Sequence, residues 1–156
     1  MSLYDEDFIA WAKQQAEALR AAARAGPNQT LDWENLAEEI EGLGISQRSA
    51  ISSYIMRIIQ HLAKLDFSPA VEPRNAWRRT IRLARLQVQR RIETSPSLRP
   101  ELGRIVSEEN RRGIEYAIAD LEEHGELDDV DAEAMRRASY TADQVLDDWF
   151  PPEPQA

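Results

Sequence analysis

Apolar residues along this chain recur every three or four positions and nowhere alternate, which predicts helices and no strands. Between Asp5 and Arg24, Phe8, Trp11, Ala12, Leu19 and Ala22 share one helical face, with Asp5 placed to cap and Gly26-Pro27 to stop. A second helix opens at Asp32 on the stripe Trp33, Leu36, Ala37, Ile40 and Leu43, and Gly44 is the expected exit. Ser46 then starts the most regular amphipathic run, Ile51, Tyr54, Ile55, Ile58, Ile59, Leu62 and Leu65, which is the expected central helix.

Past Pro69 and Pro73, a fourth helix over 75–93 carries Trp77, Ile81, Ala84, Val88 and Ile92 inward. Leu83 and Leu86 lie off that stripe, so the helix is expected to bury a second face or to meet another protein. A turn at Ser95–Pro100 leads into a fifth helix ending at His124-Gly125, and Thr141 with Gln144 forms a capping box for a short last helix before Pro151-Pro152. Residues 126–139 are acidic and without clear period. The expected fold is all-α: one domain over 1–156, an irregular bundle of about five main helices plus a short C-terminal one.

Charge adds a second layer to this pattern. Glu34, Glu38 and Glu41 recur at helical spacing beside one apolar face, and Arg78, Arg82 and Arg85 beside another, so the two stripes are expected to pair inside the molecule. With 28 acidic and 19 basic residues the net charge is -9, which argues against nucleic acid and anionic membrane as partners. The arginine helix, with Trp77 beside Arg78, is the one place where a phosphate backbone could be tracked. No cysteine is present, which removes disulfides, thiolate metal sites and a cysteine nucleophile. The acidic start lacks the features of a signal peptide and no apolar stretch reaches bilayer length, so a cytoplasmic location is expected.

Several words in the chain occur together in a known set: Tyr4-Asp5-x-Asp7-Phe8-x-x-Trp11, Asp32-x-x-Asn35-Leu36-Ala37-Glu38-Glu39-Ile40-Glu41-x-Leu43-Gly44, His61-Leu62-x-Lys64, Trp77-Arg78-x-Thr80-Ile81, Ser95-Pro96-Ser97-Leu98 and Tyr140-Thr141 through Phe150-Pro151. Over about residues 3–152 the chain thereby resembles the bacterial domain-of-unknown-function family twenty-nine. It departs from the pattern at Leu65, where an aromatic residue usually stands, and at Ala138-Ser139, in place of Cys-Pro. The resemblance implies a small helical bacterial protein and no assigned activity.

Two function classes follow. In the first, the chain is a non-enzymatic interaction or regulatory module that meets a protein partner or itself through Leu83, Leu86, Arg78, Arg82 and Arg85. In the second, it is a metal-dependent hydrolase, with nucleic acid as one substrate class. Packing the second and third helices antiparallel would bring Glu38, Glu41 and His61 together as ligands or base for a divalent metal, with Arg78 steadying phosphate. No other cofactor is expected. The Glu-x-x-His of di-metal bundles, glycine-rich phosphate loops and hydrolase elbows are all missing, which favours the first class.

Overall fold

A computed structural model describes residues 1–26 and 31–153, and every regular element in them is helical. In order these are α1 (Leu3–Glu6), α2 (Phe8–Arg24), α3 (Trp33–Phe67), α4 (Arg74–Thr94), α5 (Leu102–Glu123), α6 (Ala132–Arg137) and α7 (Ala142–Leu146), with 3₁₀ turns at Pro96–Glu101 and Leu127–Asp129. The all-α expectation therefore holds.

The largest departure from the sequence reading is α3. The expected exit at Gly44 does not occur, and one helix of 35 residues replaces two. Only Gly26 and Gly125 among the described glycines adopt positive φ, so Gly44 does not make the left-handed turn that ends a helix. A glycine inside a helix costs only about 1 kcal/mol relative to alanine, too little to stop a segment that is helix-forming on both sides.

The described residues group into two compact units, one of Met1–Ile51 with Arg90–Pro100 and one of Ser52–Gln89 with Glu101–Ala156. In the first unit, Asp7 rather than Asp5 caps α2: its Oδ1 accepts from the Ala10 amide at 2.9 Å. The same carboxylate accepts from the Ser97 amide at 2.7 Å and the Ser97 hydroxyl at 3.0 Å, joining two of the distinctive words of the sequence. Asp5 instead accepts from the amide and hydroxyl of Ser2 in the short α1. Tyr4 meets Phe8 and Trp11 edge-on, with centroids 5.8 and 4.9 Å apart.

Small residues set the α2–α3 seam. Ala12, Ala16 and Ala37 are buried, and a Cβ on Gly44 would stand 3.7 Å from that of Ala12. Because the small residues face inward, Leu36 and Leu43, expected in the core, turn outward at 40% and 51% exposure. Arg20 closes this seam, 2.8 Å from Glu41 and 3.5 Å from Glu34. Pro27, half of the expected stop after α2, lies outside the described residues; Gly26 at φ +115 supplies the turn.

The second unit holds most of the buried aliphatic residues, among them Ile55, Ile58, Ile59, Leu62, Leu65, Ile81, Ile105, Ile118 and Leu121. Here α3 and α5 run parallel, because Gly113 meets Ile59 while Lys64, further along, meets Asp120. Helix α5 ends in a Schellman motif: the Gly125 amide donates to Glu122 O at 3.0 Å and the Glu126 amide to Leu121 O at 2.8 Å. The Thr141–Gln144 capping box forms as expected, with the Gln144 amide 3.2 Å from the Thr141 hydroxyl and the Thr141 amide 2.9 Å from the Gln144 side chain. Asp131 opens α6 in the stretch that showed no period, accepting from the Ala134 amide at 2.9 Å.

Candidate interaction surface

From Arg74 to Arg85, the arginines of α4 divide into those used inside the second unit and those that face out. Arg74 caps the C-terminus of α3, donating to Leu65 O at 2.8 Å and Ser68 O at 3.1 Å. Arg85 does the same for α7, donating to Val145 O, Gln144 O and Trp149 O at 2.9, 2.9 and 2.7 Å. Burial lowers the Arg85 pKa while Asp148 and Asp147 oppose that shift, so its positive charge is held by carbonyl dipoles and nearby carboxylates.

The chain's own C-terminal segment then runs back along α4. Phe150 lies under Arg82 and Arg85, with guanidinium carbons 5.1 and 5.0 Å from the ring centre. Glu153 pairs with Arg78 and stands 2.9 Å from Arg74. The expected pairing of Arg78, Arg82 and Arg85 with Glu34, Glu38 and Glu41 is thus corrected: the arginines hold carbonyls, an aromatic ring and Glu153, while Arg20 takes Glu34 and Glu41. Helical spacing specifies which side chains share a face; it does not specify what the face meets.

Outward, α4 presents Leu83 at 53% and Leu86 at 54% exposure, on the face opposite Trp77, Ile81, Ala84 and Val88. Arg79 lies one turn before Leu83 on the same face, exposed and without an ion pair among the described residues. Arg82 borders that face. The result is two adjacent leucines rimmed by guanidinium groups.

The candidate metal ligands do not converge. Glu38, Glu41 and His61 all belong to α3, so the antiparallel packing that would have joined them is absent. Among the described residues no group of three or more Asp, Glu or His side chains stands within reach of one ion.

A different cluster surrounds Lys64, which the His61-Leu62-x-Lys64 word contained but the sequence reading left without a role. Buried at 7% exposure, its ammonium pairs with Asp120 and sits 4.6 Å from the centre of the Trp77 ring. His61 and His124 lie to either side, donating from Nδ1 to Arg57 O at 2.8 Å and Asp120 O at 2.7 Å. A buried lysine without its carboxylate would be costly, and pairing with Asp120 satisfies both groups. This is a structural seam with two titratable edges.

Those edges have opposite pH dependence. Burial lowers the His61 pKa from the ordinary 6.5, against the pull of its bond to Arg57. The bond to the Asp120 carbonyl, and then the Asp120 charge, raise that of His124. The stability that neutral His61 contributes is complete above the ordinary value of 6.5 and is lost as the pH falls below it. That from His124 is present below 6.5 and lost as the pH rises through its folded value. His61→Gln is therefore expected to lose less stability than wild type between about pH 7 and about pH 5, by urea denaturation at both. An equal or steeper loss in the variant would remove His61 from this role.

A further cleft of about 360 Å³ is lined by Ser107, Asn110, Arg111, Glu115 and Arg136 among others. Its polar groups are largely spent: Arg136 is held by Glu115 at 2.9 Å and Glu133 at 2.8 Å. Asn110 donates to Val106 O and Tyr140 O, both at 2.9 Å, and accepts from the Tyr140 amide at 2.7 Å. The Tyr140 hydroxyl reaches Asp66 at 3.0 Å, and burial with that carboxylate pushes its pKa well above the ordinary tyrosine value.

No curated protein matches the chain. An alpha-helical protein of unknown function from Rhodospirillum rubrum ATCC 11170 is 28% identical and superposes with a TM-score of 0.72, over 95% of this chain and 91% of that one. Among the described residues no helix is long and apolar enough to cross a membrane. Residues 3–150 match the family described as Domain of unknown function DUF29, and the chain belongs to that family.

Proposed function

We propose that this chain is a non-enzymatic interaction module that takes an acidic amphipathic helix on the Arg79, Leu83 and Leu86 face of α4. One observation carries the reading. Leu83 and Leu86, 53% and 54% exposed, stand side by side next to an arginine that has no ion pair among the described residues, while Arg74, Arg78 and Arg85 on the same helix are engaged internally. Leucines at positions i and i+3, with a basic rim, are the anchors that a helix with leucines and carboxylates on one face would meet. Covering two half-exposed leucines supplies roughly 1.5 to 3 kcal/mol, since complete burial of each is worth about 1.5 to 3.

The test is calorimetric titration of the full chain with a synthetic helical peptide bearing leucine and glutamate on one face. Leu83→Glu with Leu86→Glu is expected to weaken binding at least tenfold, the equivalent of about 1.4 kcal/mol, with the circular dichroism spectrum unchanged. Equal binding by the variant would remove this face as the site.

A further inference from the structure

We infer that the acidic helix docking on α4 is the N-terminal half of α3 from a second copy of this chain, so that the protein associates head to tail with itself. The inference rests on the reading of the α4 face given above. Asp32, at the start of α3, and Leu36, Glu39 and Leu43 follow one another at spacings of four, three and four, which aligns them in one stripe. All four are exposed, Leu36 at 40% and Leu43 at 51%, because Ala37 and Gly44 occupy the face turned to α2.

This stripe complements the α4 face in kind. Each has two outward leucines; one is rimmed by Glu39, with Asp32 bonded to Asn35 at its start, the other by Arg79, with Arg82 beside it against Phe150. Glu39, like Arg79, has no ion pair among the described residues. The other charges of the two original stripes are largely consumed within the chain, Glu34 and Glu41 by Arg20, Arg78 by Glu153 and Arg85 by backbone carbonyls. What each copy leaves outward is therefore an acidic leucine face and a basic leucine face, always in equal number. The net charge of -9 repels two copies at long range, but at physiological salt that repulsion is screened beyond about 8 Å, whereas charges in contact still pair. Since the two faces differ, the contact is heterologous, and copies would add into rings or open chains.

Sedimentation velocity of the full chain at about 0.15 M salt, from about 1 to about 200 μM, tests this. The average mass of wild type is expected to rise with concentration. Arg79→Glu with Leu83→Glu, which spoils the basic face, and Leu36→Arg with Glu39→Arg, which spoils the acidic one, should each remain monomeric alone. Mixed in equal amounts they should form a one-to-one dimer and nothing larger, because each retains the face the other lacks. The milder pair Glu39→Gln and Arg79→Gln, chosen to leave folding untouched, should weaken wild-type association severalfold. A monomeric wild type throughout, variants that associate like wild type, or an inert mixture beside an associating wild type would each overturn the inference. A monomeric wild type that still binds the acidic peptide through Leu83 and Leu86 would remove self-association alone and leave the α4 reading standing.

Discussion

Replacing Asn110 by leucine is expected to destabilise the protein by about 3 kcal/mol, because it strands two buried backbone groups at once. Tyr140 is 4% exposed, and both its amide and its carbonyl are satisfied by the one Asn110 side chain, at 2.7 and 2.9 Å. Leucine has the same branched four-atom side-chain skeleton but neither donor nor acceptor, and each unsatisfied buried group costs about 1 to 3 kcal/mol. Tyr140 stands just before the α7 capping box and also reaches Asp66, so the loss should appear as a lower urea midpoint. Ser107→Ala on the exposed side of the same helix should change stability by less than about 0.5 kcal/mol. A leucine variant as stable as wild type would mean that the Tyr140 groups find other partners.

Gly113 carries the second large effect. A Cβ built there would lie 2.6 and 2.7 Å from Cγ2 and Cβ of Ile59 and 3.0 Å from the Met56 carbonyl oxygen. Neither Ile59 Cβ nor the Met56 backbone is a free end that can swing aside, so α3 and α5 would have to separate. Gly113→Ala is expected to cost about 1 to 3 kcal/mol despite the better helix propensity of alanine, and Gly113→Leu more. Gly42→Ala, in open space within α3, has the opposite sign, a gain of about 0.5 to 1 kcal/mol. Thermal or urea denaturation of the two alanine variants compares them directly, and a stabilising Gly113→Ala would show the seam to be looser than the geometry indicates.

What the amino-acid sequence made legible was local. The Thr141–Gln144 box, the Gly125 stop and the inward stripe of α4 depend on residues within a few positions of one another. Gly44 was misleading because glycine both ends helices and permits close packing, and only its φ distinguishes the two. The charge stripes were legible as stripes, but their partners were not. Arg85 bonds backbone carbonyls about 60 positions away, and carbonyls have no signature in a sequence. Asp120 belongs to no word or period that would have joined it to Lys64. Leu83 and Leu86, by contrast, were visible as departures from a helical stripe, and exposure is what that departure means here.

On the function proposed above, α4 keeps one set of arginines for its own C-terminal segment and offers Arg79, Leu83 and Leu86 to an acidic helix. Backbone amide chemical shifts of the isotope-labelled full chain, followed while an acidic amphipathic peptide is added, report on it residue by residue. The largest changes are expected from Arg79 to Leu86, with the amides around Lys64, Asp120 and His124 still. Changes centred on that Lys64 cluster, or none on α4 while the peptide binds, would contradict the account.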